Sequence, residues 1–198
     1  MKVGSTFKKG VVFGCGVNDL VGVVLTSTKE YKLWSSILRR SYSSVYHKNK
    51  PKYKDVSVSD SWLLFSNFYK DIKEIPNYHK SIEEDWHLDK DILVKGNRIY
   101  SKETVCFVPN EINSLFIRAN KVKNKAIGVY KLGNKYTSKF QIRGKTIELG
   151  IFETEDAAFL AYKNAKEDYI KSVANKYLGE IDEKVYKALI NYSVEKYD

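Results

Sequence analysis

Between Ile127 and Ala165 the hydrophobic pattern switches from alternation to helical spacing, and that switch constrains the fold more than any other feature of the chain. From Tyr136 to Arg143 successive side chains take opposite faces of a strand. Phe140 and Ile142 fall on one side, and Lys139, Gln141 and Arg143 on the other. Gly144 supplies a turn residue, and Ile147, Leu149 and Ile151 alternate in the strand that follows. Thr154 stands at an N-cap position ahead of Glu155 and Asp156, which favour a helix N-terminus. Ala158, Ala161, Tyr162 and Ala165 recur at helical spacing, and small alanines let a helix lie close on a sheet. The stretch from Val122 to Ile147 carries seven Lys or Arg and no acid. The expectation is a small antiparallel sheet with its apolar side under a helix and its other side free, basic and suited to a polyanion. Lys135, Lys139, Gln141, Arg143 and Lys145 are its candidate polyanion contacts.

These residues carry a resemblance. Gly128-Val129, the strand entry Lys135-Tyr136, Leu149-Gly150 with Phe152 and Thr154, and Ala157-Ala158 followed by Ala161-Tyr162 resemble the plant ethylene-response-factor type of DNA-binding domain. That domain also occurs in phage and homing endonucleases. The resemblance covers residues 127–166 and implies a domain over about 125–175, with a three-stranded sheet that enters the major groove of double-stranded DNA. The plant domains carry arginine beside the first Gly-Val, where this chain has Ile127 and Tyr130. Phosphate binding is therefore the firmer expectation, ahead of base reading by arginine. The plain alternative is a solvated basic face.

A chain of 198 residues with 43% hydrophobic and 14% aromatic content has the material for one or two real cores. Its net charge of +10 points to nucleic acid or another anionic surface. Cys15 and Cys106 stand far apart without zinc spacing, which predicts a reducing, cytoplasmic setting and no disulfide framework. No apolar run reaches spanning length, so no membrane association is expected. Residues 1–30 read as a strand and loop segment. Gly14-Cys-Gly-Val-Asn-Asp lacks the Lys-Ser/Thr of a phosphate loop and reads as a tight turn.

Residues 30–43 predict a helix with Trp34, Ile37, Leu38 and Tyr42 in one stripe. From Lys29 to Lys54 eight basic residues accompany one acid, Glu30. Arg39, Arg40, Lys52 and Lys54 are thus candidates for a second phosphate-binding surface, the alternative being a solvated loop. Val56 to Val58 reads as a short strand. Asp60 stands as a cap for a helix whose core stripe is Trp62, Phe65, Phe68, Tyr69 and Ile72.

His87, Asp89 and Asp91 alternate, so a strand there would turn all three to one side. Gly96-Asn97 marks a turn, and Ser101 opens another towards Glu103. Together with Tyr53 and Trp62, residues 30–118 resemble phage HNH-type (His-Me finger) endonucleases, in the order of a Leu88-Asp89-Lys90 strand, a Gly96-Asn97 turn, Tyr100-Ser101 and a short apolar run. The resemblance implies a ββα-type nuclease domain over 31–120, with Mg²⁺ or Mn²⁺ as cofactor if it is catalytic. It implies Asp89, Asp91, Asn97 and Asn113 as oxygen ligands, and His87, Asp89 and Lys90 at the reacting centre. HNH enzymes place a histidine beside the first metal ligand, whereas Asp89 is followed by Lys90, and the position of the second-helix asparagine falls at Thr104. An alternative for Asp89 and Asp91 is an ion pair with Lys90, Lys95 or Arg98.

The tail from Glu180, with Ile181, Val185, Leu189 and Val194 between charges, predicts an amphipathic helix over 176–198. The whole reads as an α+β chain: an HNH-like N-terminal region, then a three-stranded antiparallel sheet packed on one helix. Three functions follow. One is a phage-type DNA-binding protein of HNH homing-endonuclease descent that cleaves with a divalent metal if its site is intact. The second is the same protein without catalysis, as a DNA-binding or regulatory factor. The third is a phage protein that binds a host defence complex.

Overall fold

A computed structural model describes residues 10–20, 26–116, 125–142 and 144–197. Val21 to Leu25 and Arg143 lie outside the described residues. The chain divides into two compact units, Met1–Asn110 and Glu111–Asp198.

The first unit opens on the short antiparallel strands β1 (Val11–Val12) and β2 (Gly16–Val17), with the expected tight turn at Gly14 between them. Helix α1 (Lys29–Tyr42) is capped by Thr28, whose hydroxyl accepts the Tyr31 N–H at 3.2 Å. Its stripe of Trp34, Ile37 and Leu38 is buried, while Tyr42 stays at the surface. Helix α2 (Ser44–Asn49) and a 3-10 turn at Pro51–Tyr53 lead to β3 (Ser57–Val58).

The aromatic stretch that follows is two elements, not one helix. A 3-10 turn at Asp60–Leu63 ends at Leu64, whose extended backbone (φ −88°, ψ 126°) breaks the run before α3 (Phe65–Glu74). Asp60 therefore opens a turn instead of capping a helix through Ile72. The break suits the core. The Trp34 indole donates to the Trp62 carbonyl at 2.7 Å, and the Trp62 indole donates to Asp71 at 2.9 Å, so both buried rings keep their polar edge satisfied. Phe65 and Phe68 pack on these rings with centroids at 5.1 Å and 4.9 Å.

Helix α4 (Tyr78–Glu83) precedes β4 (His87–Asp89), β5 (Ile99–Tyr100) and β6 (Cys106–Val108). β4 pairs antiparallel with β6, and β5 pairs parallel with β3. β4 stops at Asp89, so Asp91 lies beyond the strand and does not continue the alternation of His87 and Asp89.

Helix α5 (Asn110–Ser114) begins at the unit boundary. The second unit is built on β7 (Val129–Leu132), β8 (Lys135–Ile142) and β9 (Lys145–Phe152), one antiparallel sheet in that order. Helix α6 (Glu155–Lys176) starts at Thr154, whose hydroxyl accepts the Ala157 N–H at 3.2 Å, the cap its position predicts. Helix α6 covers the sheet side that carries Phe140, and Tyr162 meets Phe140 edge-on at 5.9 Å. The tail helix is shorter than its apolar spacing suggests. α7 (Glu183–Ile190) packs on α6, and Val194 lies beyond it, outside any helix or strand, buried beside Phe140 and Tyr162.

One irregularity reorganises the sheet. Ser138 pairs with Gly150 but Lys139 pairs with Glu148, so Leu149 is an extra residue on β9, a β-bulge. The bulge shifts the parity of the strand. Leu149 packs against the Phe140 cluster, whereas Ile151 stands opposite Thr137 on the outer face, 61% exposed. Ile147, Leu149 and Ile151 therefore do not share one face as strict alternation predicts.

Candidate nucleic-acid interface

The outer face of the sheet is set by register. Tyr130, Thr137 and Ile151 form one row across the three strands, and Leu132 stands beside Lys135. Further along come Lys139 with Glu148 and Gln141 with Thr146. Pairing imports two acids that the basic run lacks. Lys139 donates to Glu148 at 2.7 Å, and Lys135 to Glu153 at 2.6 Å. Tyr130, Leu132 and Ile151 are more than half exposed. The face expected to be free and basic is thus amphipathic, with its two central lysines neutralised. Gln141 is exposed, and Lys145 stands opposite Ile142 at the hairpin end, on the Phe140 side of the sheet.

Gly128, one mark of the Gly-Val pair, has a geometric reason. Its φ of +73° suits glycine, and a Cβ there would lie 1.9 Å from the Tyr162 ring.

The basic segment of the first unit is arranged differently. The Arg39 guanidinium lies over the Tyr46 ring at 5.4 Å, and Tyr46 meets Tyr53 edge-on at 5.5 Å. The Lys52 ammonium lies over the Tyr53 ring at 5.4 Å, and Arg98 donates to the Lys52 carbonyl at 3.0 Å. Arg39, Lys52, Lys54 and Arg98 are exposed, and Arg40 is half-buried. Among the described residues, none of these five cations forms an ion pair with a carboxylate. Charge counting found Arg39, Arg40, Lys52 and Lys54. It missed the scaffold of Tyr46 and Tyr53, which tertiary contacts supply, and it missed Arg98 as part of this surface.

The 87–97 region folds as a stapled loop. Asp89 Oδ1 accepts the N–H groups of Asp91 at 2.7 Å and Ile92 at 3.0 Å. The Lys90 ammonium is buried, donating to Asp91 at 2.5 Å and to the Asn97 carbonyl at 2.9 Å. This is the ion pair that stood as the alternative for Asp91. The Asn97 amide donates to the carbonyls of Lys90 (2.8 Å) and Ile99 (2.7 Å) and accepts the Ile99 N–H at 3.1 Å. Thr104 donates to the Ile99 carbonyl at 2.7 Å. Burial pushes the Asp89 carboxyl above its ordinary range, with Asp91 adding to the rise and the two N–H bonds opposing it. His87 is half-buried on β4, opposite Val108. Asn113 lies on α5, in the other compact unit. Among the described residues no three His, Cys, Asp or Glu side chains group as a cation cage. Asp91 and Asn97 are committed to their own loop, so this donor set does not fit a Mg²⁺ ion, which takes convergent oxygens.

No described helix is long and apolar enough to cross a membrane. No family model, no curated protein and no solved structure matches the chain.

Proposed function

We propose that this chain binds double-stranded DNA without cutting it, as a DNA-binding or regulatory protein of phage HNH homing-endonuclease descent. One observation carries the reading: Arg39, Tyr46, Tyr53, Lys52 and Arg98 run as a contiguous row, and its cations have no carboxylate partner among the described residues. Cations left without internal counter-ions are available to backbone phosphates, and tyrosine rings hold them in place. On the sheet, Gln141 suits adenine edges, and Ile151, Leu132 and the Thr137 methyl suit thymine methyls.

A protein partner, such as a host defence complex, is the second reading. The exposed Tyr130, Leu132 and Ile151 favour it, because clustered apolar side chains at a surface mark interaction sites.

Duplex binding measured by anisotropy from low to moderate salt tests the first reading. Affinity should fall steeply with salt, and Arg39→Glu with Lys52→Glu should reduce the log–log slope by about 2, one unit per lost phosphate contact. Lys139→Glu with Arg143→Glu should weaken binding further. Unchanged affinity in both double variants would remove DNA as the partner. Gels run with Mg²⁺ or Mn²⁺ after protein removal should show intact DNA, and metal-dependent breaks would restore the nuclease reading.

A further inference from the structure

The segment that follows α7 returns to the start of the sheet. Ile127 lies just ahead of β7, and its N–H donates to the Lys196 carbonyl at 3.0 Å. The next carbonyl, that of Gly128, accepts the Lys139 N–H from β8 at 2.9 Å. The same segment is fastened to α6 at two levels. At the start of the helix, the Lys196 ammonium bonds Asp156 at 2.5 Å and Glu155 at 3.1 Å. Further along, the Lys163 ammonium donates to the Ser193 hydroxyl and to the Val194 carbonyl, both at 2.8 Å. Glu167, itself paired with Lys163 at 2.7 Å, accepts the Val194 N–H at 2.8 Å. Between these two levels the Val194 side chain is buried against Phe140 and Tyr162, and Ile127 and Tyr192 pack on the same cluster.

β7 needs such a hold. It is the shortest strand of its sheet and pairs with β8 alone. A short edge strand with few buried contacts is among the first elements to open locally. Yet β7 carries Tyr130 and Leu132, two of the three apolar side chains on the outer face. The exposed ion pairs of Lys196 are weak taken singly. The buried Val194, whose N–H and C=O are both satisfied by α6 side chains, gives the segment a fixed anchor. We propose that Ser193–Lys196 is a strap that fixes β7 to the sheet, so that its release loosens Tyr130 and Leu132 while β8 and β9 stay paired. The strap positions the outer face whatever that face binds, and it does not rest on the duplex-binding reading.

Amide hydrogen exchange on the full chain, read residue by residue, tests the strap without any ligand. Val194→Ala shortens the buried anchor and leaves the charge unchanged. It should speed exchange about tenfold at Ile127, at Lys139 and at the amides bonded between β7 and β8, an effect on the scale of a trimmed core side chain. Amides bonded between β8 and β9 should keep the parent rate. Lys196→Glu sets a third acid beside Glu155 and Asp156 and leaves Val194 in place. It should give the same pattern with a rise of roughly threefold, the scale of an exposed ion pair. It decides the matter if Val194→Ala unfolds the second unit. Two results would overturn the strap. Equal acceleration at every amide of Glu111–Asp198 would mean that the segment only adds stability to the whole unit. Parent rates at Ile127 and Lys139 in Lys196→Glu and in a folded Val194→Ala would mean that the segment does not hold β7.

Discussion

The two basic regions of this chain carry similar charge in sequence and opposite electrostatics in the fold. On the sheet, antiparallel pairing places Glu148 against Lys139, nine residues away, and Glu153 against Lys135, eighteen residues away. On the α1 surface the neighbours of Arg39 and Lys52 are tyrosine rings, which hold a cation without cancelling it. A run of lysines is therefore not yet a positive surface. What matters is what the register or the packing sets beside each one.

Gly128→Val should separate the two regions most sharply. A side chain there meets both the positive φ and the Tyr162 ring, so the sheet and α6 should lose roughly 3 kcal/mol or more. Trp34, Trp62 and Trp86 all lie in the first unit, so tryptophan emission reports that unit alone. The expected outcome is native emission with a helical signal reduced by the loss of α6. Any duplex affinity that survives, with its salt slope, then belongs to the Arg39–Arg98 surface. Complete loss of binding with native emission would assign recognition to the sheet and reverse the comparison.

Glu148→Gln probes the sheet side more gently. The hydrogen bond from Lys139 holds the Glu148 carboxyl below its usual range, so it stays ionised and keeps Lys139 occupied at neutral pH. Freeing Lys139 should raise duplex affinity about threefold at low salt, an effect on the scale of one exposed ion pair. No matching gain is expected beside Arg39 or Lys52, which form no ion pair with a carboxylate among the described residues. An unchanged affinity in Glu148→Gln would place Lys139 outside the interface.

Much of the local fold is legible in the sequence. Thr154, Gly144 and the stripe of Trp34, Ile37 and Leu38 act as their sequence positions predict, because caps, turns and amphipathic faces are set by near neighbours. The bulge at Leu149 was not legible. The pattern of residues 147, 149 and 151 is regular, and only packing of Leu149 into the Phe140 cluster decides that the strand must gain a residue. The break at Leu64 is similar, since it is fixed by where the Trp34 and Trp62 indoles find partners. At the candidate site, cations were visible as charge, whereas their tyrosine scaffold spans Tyr46 to Tyr100 and needs the tertiary fold. Asp89 and Asp91 misled through their spacing. An aspartate whose carboxylate accepts the N–H two residues on ends a strand in a turn, and that local habit of aspartate was the overlooked signal.

The smallest expected effect concerns Asp89, and its sign opposes that of Glu148. Glu148 has a depressed pKa, so its pairing stabilises the fold above the unfolded value of about 4.3 and is lost as pH falls. Asp89 has a raised pKa through burial, so the folded state holds its proton longer than the unfolded chain does. Below about 4, where the unfolded carboxyl is also protonated, it makes no difference to stability. As pH rises from there, the unfolded chain ionises first and the fold loses stability, until the folded carboxyl ionises too and the penalty becomes constant. Asp89→Asn removes that penalty while its amide oxygen can still accept the N–H groups of Asp91 and Ile92. Its Tm should match the parent at acid pH and exceed it slightly at neutral pH. A neutral-pH Tm below the parent would show that the N–H groups of Asp91 and Ile92 stabilise the ionised carboxylate by more than its burial costs.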